Sequence, residues 1–290
     1  MSKALRIAGW ITAALAILLI VLLAHLYVEG RPPQGRAQYV AMGSSFASGP
    51  AIKPAAEDSP WFCARSRDNY AHQFARLRGL SLVDTSCGGA TSRHILDGGQ
   101  LMQPAQIEAV TRDTELVTVT IGGNDIAYIG NMMAMGCNDD TSWLLRKAGA
   151  CRVRGMAEID QALAELGPRL ARIAEEVHRR APAAKLVFLN YQTVLPDSGS
   201  CERLGLTAEQ AAQMRVVTDK LADLTRATAE AHGALLLDAR ALTRGHDACA
   251  SDPWMNGMRP AGGMLAAPLH PTLAGMTALA QGLDTLLQGR

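Results

Sequence analysis

Residues 116–121, Leu-Val-Thr-Val-Thr-Ile, form a β-branched, largely apolar run that stops at Gly122-Gly123. A strand without a clean polar face is buried on both sides and needs cover above and below. Shorter runs of the same kind occupy residues 39–42, 80–83, 185–189 and 234–237. Helical stretches lie between the later ones. Ile159, Leu163, Leu166, Leu170, Ile173 and Val177 recur at alternating steps of four and three, which makes one apolar face of a long helix. Pro168 falls inside that pattern and predicts a kink or a split. A second helix is expected over residues 207–232, with Thr207 as N-cap and Gln210 three residues on. A last one is expected near Pro271, because proline suits the first helical turn. Strands alternating with helices predict an α/β fold with a central parallel sheet of about five strands, covered on both faces. In such sheets ligands bind at the carboxyl ends of the strands.

The amino-terminal segment follows another pattern. Lys3 and Arg6 precede an apolar run over residues 7–28, broken only by His25 near its end. About 20 such residues span a bilayer core as a helix. The exit reads Leu-Ala-His-Leu-Tyr, a poor cleavage site, so a retained anchor over residues 1–29 is expected, with secretion after signal-peptide cleavage as the alternative. Positive charge before the helix predicts a cytoplasmic amino terminus and a single pass, with the remainder periplasmic or extracellular. Residues 30–36, rich in Pro, Gly and Arg, read as a linker, and residues 37–290 as one domain without repeats.

All six cysteines, Cys63, Cys87, Cys137, Cys151, Cys201 and Cys249, follow the apolar segment. An even number in an exported domain reads as a disulfide framework. The absence of any CxxC pair or His–His ligand spacing argues against structural zinc, and no metal or other cofactor is expected. A net charge of +1 with both signs intermixed gives no basic block for nucleic acid, and aromatics are too sparse for a stacking platform.

Three strand candidates end in polar, glycine-rich turns: Gly43-Ser44-Ser45-Phe46, Ser86-Cys87-Gly88-Gly89-Ala90 and Gly122-Gly123-Asn124-Asp125. Far downstream stands Leu269-His270-Pro271. Taken singly, each has an ordinary reading as a turn, a cap, a loop or a surface histidine. Together they supply the parts of acyl transfer: a hydroxyl nucleophile, a base, and N–H donors for an oxyanion. The α/β-hydrolase elbow Gly-x-Ser-x-Gly is excluded, because Ala47 stands two residues after Ser45.

The four blocks, in this order, resemble the SGNH (GDSL) hydrolase family, and the cysteine placement and Asp252-Pro253-Trp254 resemble its secreted actinobacterial esterases and lipases. That resemblance implies a three-layer, flavodoxin-like α/β/α fold and a carboxylic ester hydrolase acting on a small-molecule or lipid ester. It implies Ser45 as nucleophile and His270 as base, with an oxyanion hole formed by the Ser45 and Gly89 N–H groups and the Asn124 amide. It also implies sequential disulfides, Cys63–Cys87, Cys137–Cys151 and Cys201–Cys249. A monomer is expected.

Two positions depart from the family pattern. Ser44 stands where an aspartate usually precedes the nucleophile, and it is expected to act as a helix cap. Ala267 stands where an aspartate usually orients the histidine. The Ala267 backbone carbonyl is the first candidate for that role, with Asp252 or Asp247 as side-chain alternatives. Two other outcomes share these residues: an acyltransferase on envelope sugars, and a non-catalytic protein binding acylated ligands. Segments 126–135, 191–196 and 255–265 are candidate pocket loops, whose methionines fit either an adaptable pocket or ordinary core.

Overall fold

The computed structural model describes residues 3–29, 37–137, 143–259 and 266–288. The expected linker over 30–36 and the end of the third pocket segment, 260–265, lie outside the described residues.

Five strands, β1 (Tyr39–Gly43), β2 (Leu82–Asp84), β3 (Leu116–Thr120), β4 (Lys185–Leu189) and β5 (Leu235–Leu237), form one parallel sheet in the order β2-β1-β3-β4-β5. The helices are α1 (Lys3–Glu29), α2 (Ser45–Ser48), α3 (Tyr70–Arg78), α4 (Ser92–Leu96), α5 (Tyr128–Met135), α6 (Trp143–Lys147), α7 (Met156–Arg180), α8 (Ala208–Ala231), α9 (Ala239–Leu242) and α10 (Leu273–Gln288).

Alternation along the strands explains the three layers. Val40, Met42, Val117, Val119, Leu186 and Phe188 face one core, shared with Ile95 of α4, Met132 of α5 and the apolar stripes of α7 and α8. Tyr39, Ala41, Leu116, Val187 and Leu189 face the other, where Tyr70 and Phe74 of α3 meet Met276, Leu279 and Leu283 of α10. Every residue of the predicted α7 stripe is buried. Pro168 neither splits nor ends α7, which runs continuously through it. Its lost hydrogen bond is outweighed by apolar packing on both sides, including the contact of α7 with α8. The capping box predicted for α8 is present: Thr207 Oγ1 accepts the Gln210 N–H at 3.2 Å, and Gln210 Oε1 accepts the Thr207 N–H at 2.8 Å.

The expected membrane span is not supported. Residues 3–29 do form a helix, and its apolar side chains, such as Trp10, Leu18 and Ile20, are exposed. Among the described residues, however, no helix is long and apolar enough to cross a membrane.

The strand order reverses direction at β1, between the β1–β2 and β1–β3 connections. In open parallel sheets the crevice at such a point is where ligands bind. Gly43 and Thr120 are in register there, so the turns leaving β1 and β3 emerge side by side.

Candidate active site

The chain leaves β1 through Gly43, whose φ of 149° and 2.5 Å clearance between an added Cβ and the Thr120 carbonyl oxygen exclude a side chain. The buried Gln106 carboxamide grips this residue twice, accepting the Gly43 N–H at 2.8 Å and donating to its carbonyl at 3.1 Å. Ser44 N–H then donates to the Thr120 carbonyl at 3.0 Å, so the next residue, Ser45, opens α2 at the crevice. Ser45 is half-buried, while its neighbours Ser44 and Phe46 are buried. The expected capping role of Ser44 is not observed: its side chain makes no cap bond. Its hydroxyl instead lies 3.2 Å from that of Tyr191.

The structure brings Ser45 and His270 together. Ser45 Oγ is 2.8 Å from His270 Nε2, and His270 Nδ1 is 2.7 Å from the Pro268 carbonyl oxygen. A carbonyl only accepts, so Nδ1 carries the proton and Nε2 is free to accept from the serine hydroxyl. Burial lowers the pKa of His270, partly offset by the Pro268 hydrogen bond, and no charged neighbour contributes. The ring packs against Phe46, centroids 5.2 Å apart.

The orienting group therefore differs from each expected one. Ala267 offers its carbonyl to the His270 and Asn256 nitrogens, not to the imidazole. Asp252 lies beside His246, its carboxylate 3.4 Å from Nδ1 of that ring, and Asp247 accepts the Cys249 N–H at 2.8 Å. The backbone turn puts the carbonyl one residue after Ala267 against the ring, because Ala267 and Leu269 both adopt left-handed φ values, 51° and 59°.

The other two turns are knitted to the first. Gly89, with φ 78°, is exposed at the tip of the turn following β2. That turn is fixed by the Cys87 N–H on the Gly43 carbonyl, at 3.0 Å, and the Gly88 N–H on the Cys63 carbonyl, at 2.9 Å. Cys63 and Cys87 are also disulfide-bonded, as are Cys137–Cys151 and Cys201–Cys249, the sequential pairing expected from the resemblance. Asn124 donates to the Ala90 carbonyl at 2.9 Å, joining the third turn to the second. Asp125 reinforces that join by accepting from Ser92 N and Oγ.

Tyr191 and Gln106 were not recognised as site residues from sequence. By sequence Tyr191 belongs only to a candidate pocket loop, yet it is buried beneath the turns and accepts the Gly123 N–H at 2.8 Å. An added Cβ on Gly123 would lie 2.6 Å from its ring. The available signal was its position just past β4, where strand-end residues gather. Of the methionines in the pocket loops, Met132 and Met255 are core. Met135 and Met258 line an open cleft of about 700 Å³ with Arg203, Asn256 and Arg259. Among the described residues, no cluster of His, Cys, Asp or Glu could hold a metal.

Residues 41–278 match the GDSL-like lipase/acylhydrolase family. The chain belongs to that family. Among GDSL-like relatives, Lipase 2 of Streptomyces coelicolor is 32% identical over 251 residues, covering 84% of this chain and 83% of its own. The crystal structure of an extracellular lipase from Streptomyces rimosus superposes with a TM-score of 0.70 at 27% identity, covering 86% of this chain and 98% of that one. Phospholipase A1 from Streptomyces albidoflavus gives a TM-score of 0.69 at 25% identity, covering 87% and 99%. The superposition thus extends over nearly the full length of both neighbours.

Proposed function

We propose that the protein is a serine carboxylic ester hydrolase in which Ser45 and His270 act as a dyad. The observation that carries this reading is the continuous relay Ser45 Oγ–His270 Nε2, His270 Nδ1–Pro268 O, at 2.8 and 2.7 Å. His270 takes the hydroxyl proton as Ser45 Oγ attacks the ester carbonyl. The Pro268 carbonyl holds the productive tautomer and stabilises the imidazolium that forms, the task an aspartate performs in a triad. The Ser45 and Gly89 N–H groups and the second N–H of the Asn124 amide, the one not bonded to Ala90, serve the oxyanion. His270 then protonates the leaving alcohol, and water activated by the same base releases the acid.

The family match and the lipases among the relatives support ester substrates. The cleft bordered by Met135, Met258 and Asn256 supports binding of part of the substrate there, since the Asn256 N–H bonds the His270 carbonyl at 2.9 Å. Three disulfides support export of the domain. Fractionation with mass determination of the mature form separates a retained α1 from a cleaved one.

The deciding experiment is hydrolysis of a chain-length series of p-nitrophenyl esters by wild type, Ser45→Ala and His270→Ala. Wild type is expected to turn over and to label with a fluorophosphonate at Ser45, and both variants to lose turnover together, because nucleophile and base act as one unit. Wild-type hydrolysis by Ser45→Ala, or a wild type that neither hydrolyses nor labels, refutes the dyad.

A further inference from the structure

The dyad lacks the carboxylate that would hold its imidazole, so the geometry of His270 rests on one backbone carbonyl. That carbonyl belongs to a turn in an unfavourable conformation. Ala267 and Leu269, both buried and neither a glycine, adopt φ values of 51° and 59° on either side of Pro268. Left-handed backbone at residues with side chains persists only where surrounding contacts over-determine it.

The contacts come from one short segment. Asn256 Nδ2 donates to two successive carbonyls of the turn, Ala266 at 3.1 Å and Ala267 at 3.2 Å. Both partners are acceptors, so the amide nitrogen must face them. The Asn256 backbone N–H donates to the His270 carbonyl at 2.9 Å, and the Leu269 N–H donates to the Gly257 carbonyl at 3.2 Å. Met255 and Pro271 form an antiparallel bridge, and the Thr272 N–H donates to Trp254 at 2.8 Å. Asn256 is the only side chain in this set that bonds the turn. With the Ala266 and Ala267 carbonyls gathered onto its amide, the next carbonyl, that of Pro268, is left against Nδ1 of the ring.

We propose that Asn256 is the positioning residue that substitutes for the missing triad acid, by locking the left-handed turn through which the Pro268 carbonyl orients His270. The proposal rests on the Ser45–His270 reading above. Asn256 acts through the turn and has no direct bond to the imidazole, which separates it from a triad member.

The test is Asn256→Ala assayed on p-nitrophenyl butyrate across pH, at a temperature well below its melting transition. The expected result is a fall in kcat of about 10- to 100-fold, as for a small misplacement of a reacting group, with any rise in KM from the loss of a cleft-lining side chain the smaller effect. The acid limb of the pH–rate profile should move to lower pH, because the Pro268 bond that raises the His270 pKa is lost. Ala267→Gly placed on Asn256→Ala should recover part of the kcat, since glycine adopts the left-handed turn without strain. Should the alanine variant fail to fold, Asn256→Asp keeps the shape and replaces the donor by an acceptor, and it should lose kcat as well. A kcat within twofold of wild type with an unmoved acid limb overturns the proposal while leaving the dyad intact, provided that wild type still labels at Ser45. A wild type that neither labels nor hydrolyses overturns both. A lowered melting temperature alone, with kcat and pH profile preserved, reduces Asn256 to a structural role and also overturns it.

Discussion

Tyr191 joins the nucleophile turn to the third glycine turn through a single hydroxyl. Its oxygen accepts the Gly123 N–H at 2.8 Å and lies 3.2 Å from Ser44 Oγ, with the ring tilted against that of Phe46, centroids 4.6 Å apart. Burial, above all, raises its pKa, so the phenol stays neutral and keeps both bonds at every pH the enzyme meets. Tyr191→Phe removes one oxygen and strands a buried N–H and a buried hydroxyl. A stability loss of about 1–3 kcal/mol is expected in denaturant titrations. The kcat should fall too, by up to about 10²-fold, because both turns flank the reacting atoms. A variant as stable and active as wild type would show that the sheet alone positions the turns.

Asn124→Ala tests the oxyanion assignment. The amide already spends one N–H on Ala90, so its removal also loosens the join between the second and third turns. The expected loss in kcat is about 10²–10³-fold, the usual effect of one oxyanion donor, with the melting temperature falling in parallel. Gln at the same position should not restore kcat, because the longer side chain cannot place both N–H groups where Asn places them.

The pH dependence follows from the direction of the His270 shift. Burial lowers its pKa below the ordinary value of 6.5, so the neutral, base-competent form persists to more acidic pH than for a free histidine. Activity is therefore expected to hold as pH falls past neutrality and to drop only below about pH 6.5, as the ring protonates. Rate profiles of kcat/KM for wild type would check this. A midpoint above 6.5 would point instead to a carboxylate beside the ring.

Among the described residues no side-chain acid bonds the imidazole, so Asp247→Asn and Asp252→Asn should each alter kcat by less than about threefold. Removal of a true triad acid costs about 10⁴. Asp252 is largely exposed and serves His246, whose ring stacks on Trp254 at 3.6 Å. A large loss in either variant, measured as single-turnover acylation, would reveal an acid that approaches His270 only with substrate bound.

Much of this architecture is legible in the residues themselves. Strands β1 to β5 lie within a residue or two of their apolar runs, because a strand covered on both faces leaves a continuous β-rich stretch that few other structures produce. Three of the four candidate site blocks are readable for a related reason: they sit where such runs give way to glycine-rich turns, whereas His270 carries no such mark. The orienting group was misplaced by one residue, at Ala267 in place of Pro268, because the left-handed backbone of Ala267 and Leu269 leaves no trace in residues that are neither Gly nor Asn. Asn256 and Tyr191 read from sequence only as members of candidate pocket loops, because their partners, the Ala266 and Ala267 carbonyls for one and Ser44, 147 residues back, for the other, are set by tertiary structure. Of the kink or split that Pro168 predicts, the split does not occur, a local rule giving way to the packing of a long helix.

Ser45 and His270 are separated by 225 residues, and the helix following the histidine seals the α3 side of the sheet. A chain made amino-terminus first exposes Ser45 long before His270. Under the proposed dyad, Ser45 is until then an ordinary alcohol with no partner to draw off its proton. Competence thus waits until His270 and the helix after it have been made, so a copy that stops short of residue 270 is expected to be inert toward esters.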